Sequence, residues 1–132
     1  MERSRLERIL RKSWCRETSA DPEAWSPKNP AWGQCAVSAV LVQDYLGGRV
    51  VWALVRIEDG RKLSHYFNNI NGREHDFTRE QFPEGVMIPR GVPRRKGFRT
   101  TREYVLSYED TRKRYELLKQ RFEQFLKQEE KK

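Results

Sequence analysis

Three residues carry the chemistry this sequence could perform. Cys35 is the candidate nucleophile, and His65 and Asp76 are a base and a carboxylate that could serve it. Cys35 stands where a loop marked by Pro27, Pro30 and Gly33 gives way to the apolar run Ala36 to Leu46. A thiol at a helix start feels the positive end of the helix dipole and the unpaired backbone N–H groups there. Both effects make a cysteine a better nucleophile. The same N–H groups can receive an oxyanion. The plainer reading of Cys35 is a small buried apolar residue, a common use of free cysteine.

A nucleophilic cysteine needs a base, and the base needs an orienting group. His65 and His75 are the only histidines. Asn71-Gly72 between two strand-like segments is a two-residue hairpin signal. With that loop, Ile70 faces Arg73, Phe67 faces Asp76 and His65 faces Thr78. His65 and Asp76 then share a face as diagonal neighbours, about 7–8 Å apart at Cα and within reach of a side-chain hydrogen bond. His75 falls on the opposite face beside Asn68. A three-residue loop would shift the register and turn Asp76 away. Asn69 shares a strand face with His65 in either register, so it is the second candidate orienter. The contact between Cys35 and His65 is not dictated by any local pattern. Singly, His65 also reads as a strand histidine bonded to a backbone group, and Asp76 as a carboxylate supporting a helix start.

The positioning elements follow from periodicity and turn chemistry. Residues 2–14 read as a first helix, with Leu6, Ile9, Leu10 and Trp14 on one stripe. Residues 16–34 read as a loop whose Trp25 and Trp32 either form a wall of a site beside Cys35 or pin the loop to the core. Residues 35–46 read as a buried central helix, stopped by Gly47-Gly48. Three strands are expected, at 49–57, 63–70 and 73–77. The first places Val50, Trp52 and Leu54 on one face, with Cys35's helix packed on the sheet. Thr78 with Gln81 three residues on is a capping-box pattern that predicts a short helix. Residues 83–99 read as loop and 101–106 as a short helix. Asp110 is the expected N-cap of a last helix whose stripe is Tyr115, Leu118, Phe122 and Phe125. The expected class is one α+β domain over residues 1–132.

Composition narrows the function classes. Lys plus Arg is 27 against 19 for Asp plus Glu, a net charge of +8, so a polyanionic partner is permitted without being required. Two cysteines make no disulfide framework, and with two histidines their spacing fits no zinc pattern. No metal or cofactor is expected. No apolar segment follows Met1-Glu2-Arg3-Ser4-Arg5, and no window approaches a membrane span, so a cytoplasmic protein with no membrane partner is expected.

The order of cysteine on a central helix, then histidine and aspartate on following strands, resembles the papain-like and transglutaminase-like thiol enzymes. Over nearly the whole chain, WSPKNPAWGQCAVSAVLVQDYLGG, SHYFNNINGREHDFTREQF and TRKRYELLKQRFE resemble the YunG family of bacterial proteins. The YunG likeness implies a fold. The thiol-enzyme likeness implies a papain-like core, with Cys35 as nucleophile, His65 as general base and acid, and Asp76 as orienter. It further implies Gln34 and the Cys35 N–H as oxyanion donors. Trp32, from the loop before Cys35, and Asn69, from the face of His65, are the further candidates on the substrate side. One departure is visible: in papain-like enzymes the oxyanion glutamine lies several residues before the cysteine, whereas Gln34 adjoins it. The leading expectation is thiol-dependent acyl transfer on an unknown peptide or amide. The alternatives are a non-catalytic interaction protein on the same scaffold, or a basic module that binds nucleic acid or another anion. For the last, Arg90, Arg94, Arg95, Lys96, Arg99 and Arg102 crowd one region around Phe98, although a charge run is more often a solvated face.

Overall fold

A helix with no polar face must be covered on every side, and this constraint fixes the architecture. The segment Cys35–Leu46 forms that helix, α2, and every residue from Val37 to Val42 is buried. Three elements cover it. The first is helix α1, Arg3–Ser13, which brings Leu6, Ile9 and Leu10. The second is the long C-terminal helix α4, Glu109–Glu130, which brings Tyr115, Leu118 and Phe122. The third is a three-stranded antiparallel sheet of β1, Arg49–Arg56, β2, Lys62–Ile70, and β3, Arg73–His75, in the order β1-β2-β3. A short helix α3, Thr101–Leu106, adds Val105 to the core. This computed structural model describes residues 1–131, and the fold class is α+β.

Polar ties set the orientation of α2. Trp14 Nε1 donates to Ser38 Oγ at 2.9 Å, and Asn68 Nδ2 of β2 donates to the Ala39 carbonyl at 2.9 Å. Arg102 of α3 reaches Asp44 at 2.8 Å, and Tyr115 of α4 donates to the same carboxylate. Each satisfies a polar group that would otherwise be costly so close to the core.

The hairpin forms with the two-residue loop. Ile70 pairs Arg73, Asn69 pairs Glu74 and Asn68 pairs His75. Asn71 and Gly72 both have positive φ, 54° and 84°, as a type I′ turn requires. Pairing stops at His75, so β3 is shorter than the expected 73–77 and Phe67 and His65 gain no partner from it. His75 does lie across from Asn68.

Three local expectations are corrected. Leu54 is 39% exposed, and the deepest burial on β1 falls on Val51, Ala53 and Val55, the alternate set, together with Val50. The last helix begins at Glu109 with Tyr108 at the N-cap, so Asp110 sits inside the first turn, where it favours the dipole without capping. The helix expected from Thr78 is a single 3-10 turn, Arg79–Gln81, and another such turn, Arg16–Thr18, interrupts the first loop.

Phe122 is fully buried between helices, whereas Met87 is 82% exposed. Phe122→Ala should lower the unfolding free energy by about 3–5 kcal/mol. Met87→Ala should change it by less than about 0.5 kcal/mol. Urea denaturation measures both.

Candidate functional site

Cys35 is the first residue of α2 and is half-buried. The first intrahelical bond runs from Ser38 N to the Gln34 carbonyl at 3.0 Å, and Gln34 supplies no side-chain cap. The amides at the helix start therefore keep the unpaired donors that a helix N-terminus carries. Gly33 makes the approach possible. Its φ is +73°, and a Cβ there would collide with Ser19 Oγ and crowd the Ala20 amide.

His65 comes from the middle of β2, across from Ala53 of β1, and is fully buried. Phe67 stacks on its ring at 5.4 Å and Phe82 meets it edge-on at 5.0 Å. Its Nε2 lies 2.6 Å from Asp76 Oδ2. A carboxylate accepts only, so this nitrogen carries the proton and Nδ1 is the nitrogen left over. Nδ1 is buried and has no hydrogen-bond partner of good geometry. Burial pushes the imidazole pKa down, but the Asp76 carboxylate and the Cys35 thiol outweigh it, and the result is a rise to about 9. Among the groups that raise it, Cys35 stands second to Asp76. It also contributes, after burial and the Tyr104 hydroxyl, to pushing Tyr66 up to about 12.

Behind Asp76 runs a chain of donors that sequence reading did not assign to the site. Thr78 donates to Asp76 Oδ1 from its amide at 3.2 Å and its hydroxyl at 3.4 Å. Gln81 Nε2 donates to the Thr78 hydroxyl at 3.1 Å, and the Gly33 N–H donates to Gln81 Oε1 at 3.4 Å. The carboxylate that orients the histidine is therefore linked to the loop two residues before Cys35. The signal for this was present as the Thr78-x-x-Gln81 pattern. Its side chains bond each other and the site instead of capping a helix.

The remaining expected site residues fare differently. Gln34 is fully buried and its Nε2 donates to the Cys15 carbonyl at 2.9 Å, so its side chain braces the preceding loop and is turned away from an oxyanion. Asn69 is also corrected. Its Oδ1 accepts from Gly72 N at 3.0 Å, closing the hairpin turn, and three strand residues separate it from His65. Orientation of His65 falls to Asp76. Trp32 is half-buried three residues before Cys35, with Nε1 donating to Asp21 at 3.0 Å. The loop is pinned by its tryptophans, since Trp25 Nε1 donates to the Pro30 carbonyl at 2.9 Å. Cys15 is held in a turn by Thr18, through both its N–H and its carbonyl. Among the described residues no group of three or more His, Cys, Asp or Glu side chains could hold a metal ion, and no helix is long and apolar enough to cross a membrane.

The family model for the YunG protein matches residues 2–127. The chain belongs to the YunG family. A curated relative, the uncharacterized protein YunG of Bacillus subtilis (strain 168), is 39% identical over 74 residues, covering 56% of this chain. The chain spans 57% of that protein's length. No solved structure matches. The YunG family assignment agrees with the likeness carried by the three quoted segments and assigns no chemistry.

The raised His65 pKa has a definite sign. A group that titrates near 6.5 when unfolded and near 9 when folded stabilises the fold fully below about pH 6.5. That contribution is lost as pH rises through about 9. The stability difference between wild type and His65→Gln should therefore shrink between those limits. In wild type the His65 ring resonances should titrate with a midpoint near 9, and Asp76→Asn should move that midpoint down. Nuclear magnetic resonance titration and denaturation at stepped pH check both.

Proposed function

We propose that the protein is a thiol acyl-transfer enzyme with a papain-like core, in which Cys35 attacks a peptide or amide carbonyl. The observation that supports this reading is a buried imidazole bonded through Nε2 to a carboxylate, with Nδ1 unpartnered and the helix-start Cys35 among the groups that raise its pKa. At neutral pH an imidazole titrating near 9 is largely imidazolium. The attacking form of a cysteine is the thiolate. The S–C bond forms, the carbonyl π electrons move to oxygen, and the N–H groups at the start of α2 receive the anion. On collapse the C–N bond breaks and His65 Nδ1 gives its proton to the leaving nitrogen. A thioester remains on Cys35. His65, now neutral, takes a proton from an incoming water or amine as that nucleophile attacks the thioester, and the S–C bond breaks. Thiolate and imidazolium are restored. Asp76, bonded to Nε2, keeps the ring in the tautomer that leaves Nδ1 as the nitrogen for proton transfer.

Neither of two large depressions, one of about 540 Å³ and one of about 600 Å³, includes Cys35. The second borders Asp76 and Phe82.

Cys15 and Cys35 are both half-buried, so exposure alone gives them similar access to a reagent. Activation should separate them. Cys35 should react with iodoacetamide at pH 7 at least about tenfold faster than Cys15, and His65→Ala should remove most of that advantage. Mass-spectrometric labelling kinetics provide the readout. Equal rates for the two cysteines, or a Cys35 rate indifferent to His65→Ala, would leave the non-catalytic interaction protein as the better reading.

A further inference from the structure

Gln43 lies eight residues after Cys35, about 12 Å along the helix. At that far end of α2 is the cavity of about 540 Å³. Its floor includes Val50 and Val51 of β1, both buried. Its wall is the segment 90–93, fastened to β1 by reciprocal Trp52–Val92 backbone bonds of 2.8 Å each. Gly91 sits so tightly on Val51 and Phe67 that a Cβ would collide with them. The wall is thus a fixed part of the fold.

Five arginines line this cavity: Arg49, Arg90, Arg95, Arg99 and Arg102. Arg102 is committed to the fold through Asp44 at 2.8 Å, Gln43 Oε1 at 3.1 Å and the Val40 carbonyl at 3.3 Å. The other four form no ion pair among the described residues. No Asp or Glu lines the cavity. Two carboxylates are bonded to its lining segments, Glu74 to the Gly91 N–H at 2.7 Å and Glu103 to the Arg99 N–H at 3.2 Å. Both are engaged by backbone amides. Four guanidinium groups around one concavity repel one another unless an anion joins them.

We propose that this cavity binds a small phosphorylated molecule. Its phosphate would take the planar forks of Arg90, Arg95, Arg99 and Arg49, which match phosphate oxygens in paired hydrogen bonds. Its apolar or flat portion would lie on Val92 and Pro93 of the wall, Val92 being 45% exposed. A bounded pocket with an apolar wall fits a compact ligand, whereas a nucleic-acid strand needs a track along the surface.

Phenyl phosphate is the probe, titrated calorimetrically into the full-length protein. Saturable one-to-one binding is expected, weakened at least about tenfold by the double variant Arg95→Ser/Arg99→Ser. Arg56→Ser/Arg73→Ser removes the same charge outside the cavity and should change affinity by less than about twofold. Melting temperatures confirm that both variants fold, and if the first does not, the single variant Arg90→Ser carries the comparison. Absence of saturable binding would overturn the proposal, as would equal loss in the two double variants. Binding of a single-stranded oligonucleotide that phenyl phosphate fails to displace would overturn it in favour of a nucleic-acid surface.

Discussion

A histidine with no exposed surface cannot carry charge without a partner, and the region around residues 29–35 and 65–82 depends on how that is solved. Burying an ion in a protein interior costs several kcal/mol even after relaxation, while one hydrogen bond to a charged group returns about 1.5–3 kcal/mol. A single loose contact would leave His65 neutral. The direction of its shift therefore requires a carboxylate held in place and a second favourable neighbour. Asp76 is held because both its oxygens are used, Oδ2 by His65 and Oδ1 by Thr78. Thr78 is in turn held by Gln81, and Gln81 by the Gly33 and Asn29 loop. The second neighbour is Cys35, two residues beyond Gly33. Loosening any link should weaken the others, which is the behaviour of a cooperative polar network.

That network also explains why so much sequence is spent on loops. Residues 19–34 contribute no long helix or strand, yet Ser19, Asp21, Trp25, Asn29 and Trp32 each use a side chain to fix the loop's own backbone or its neighbours. A loop with these bonds has few alternative conformations. It can deliver the start of α2 to one place, which proximity catalysis demands of its reacting groups.

The pieces that could be read in advance are those governed by local rules. The span of α2 followed from an apolar run between a loop and two glycines. The hairpin register followed from Asn71-Gly72, and with it the shared face of His65 and Asp76. The residues misjudged are those whose side chains had two equally good local partners. Thr78 and Gln81 satisfy a capping pattern, but Asp76 and Gly33 compete for them, and the helix shrinks to one turn. Gln34 looked like an oxyanion donor by adjacency, but the carbonyl of Cys15, nineteen positions away, claims its amide. Asn69 shares a strand face with His65, yet the hairpin turn beside it offers a closer bond. Leu54 belongs to an apolar alternation on the strand, but the covering helix meets only part of that face. Non-local geometry decides each case, and a single sequence does not carry it.

The two ends of α2 present opposite electrostatic problems, and the chain answers them differently. At the start, unpaired N–H groups and the positive dipole end are left available beside a thiol. At the finish, carbonyls and Asp44 gather negative charge, and Arg102 meets it through the Val40 carbonyl and the Asp44 carboxylate, with the Tyr115 hydroxyl also on Asp44. One guanidinium and one carboxylate cancel, and a helix end carries only about half a charge. The four further arginines around the same cavity exceed what the helix requires. Their charge is not consumed by any ion pair among the described residues.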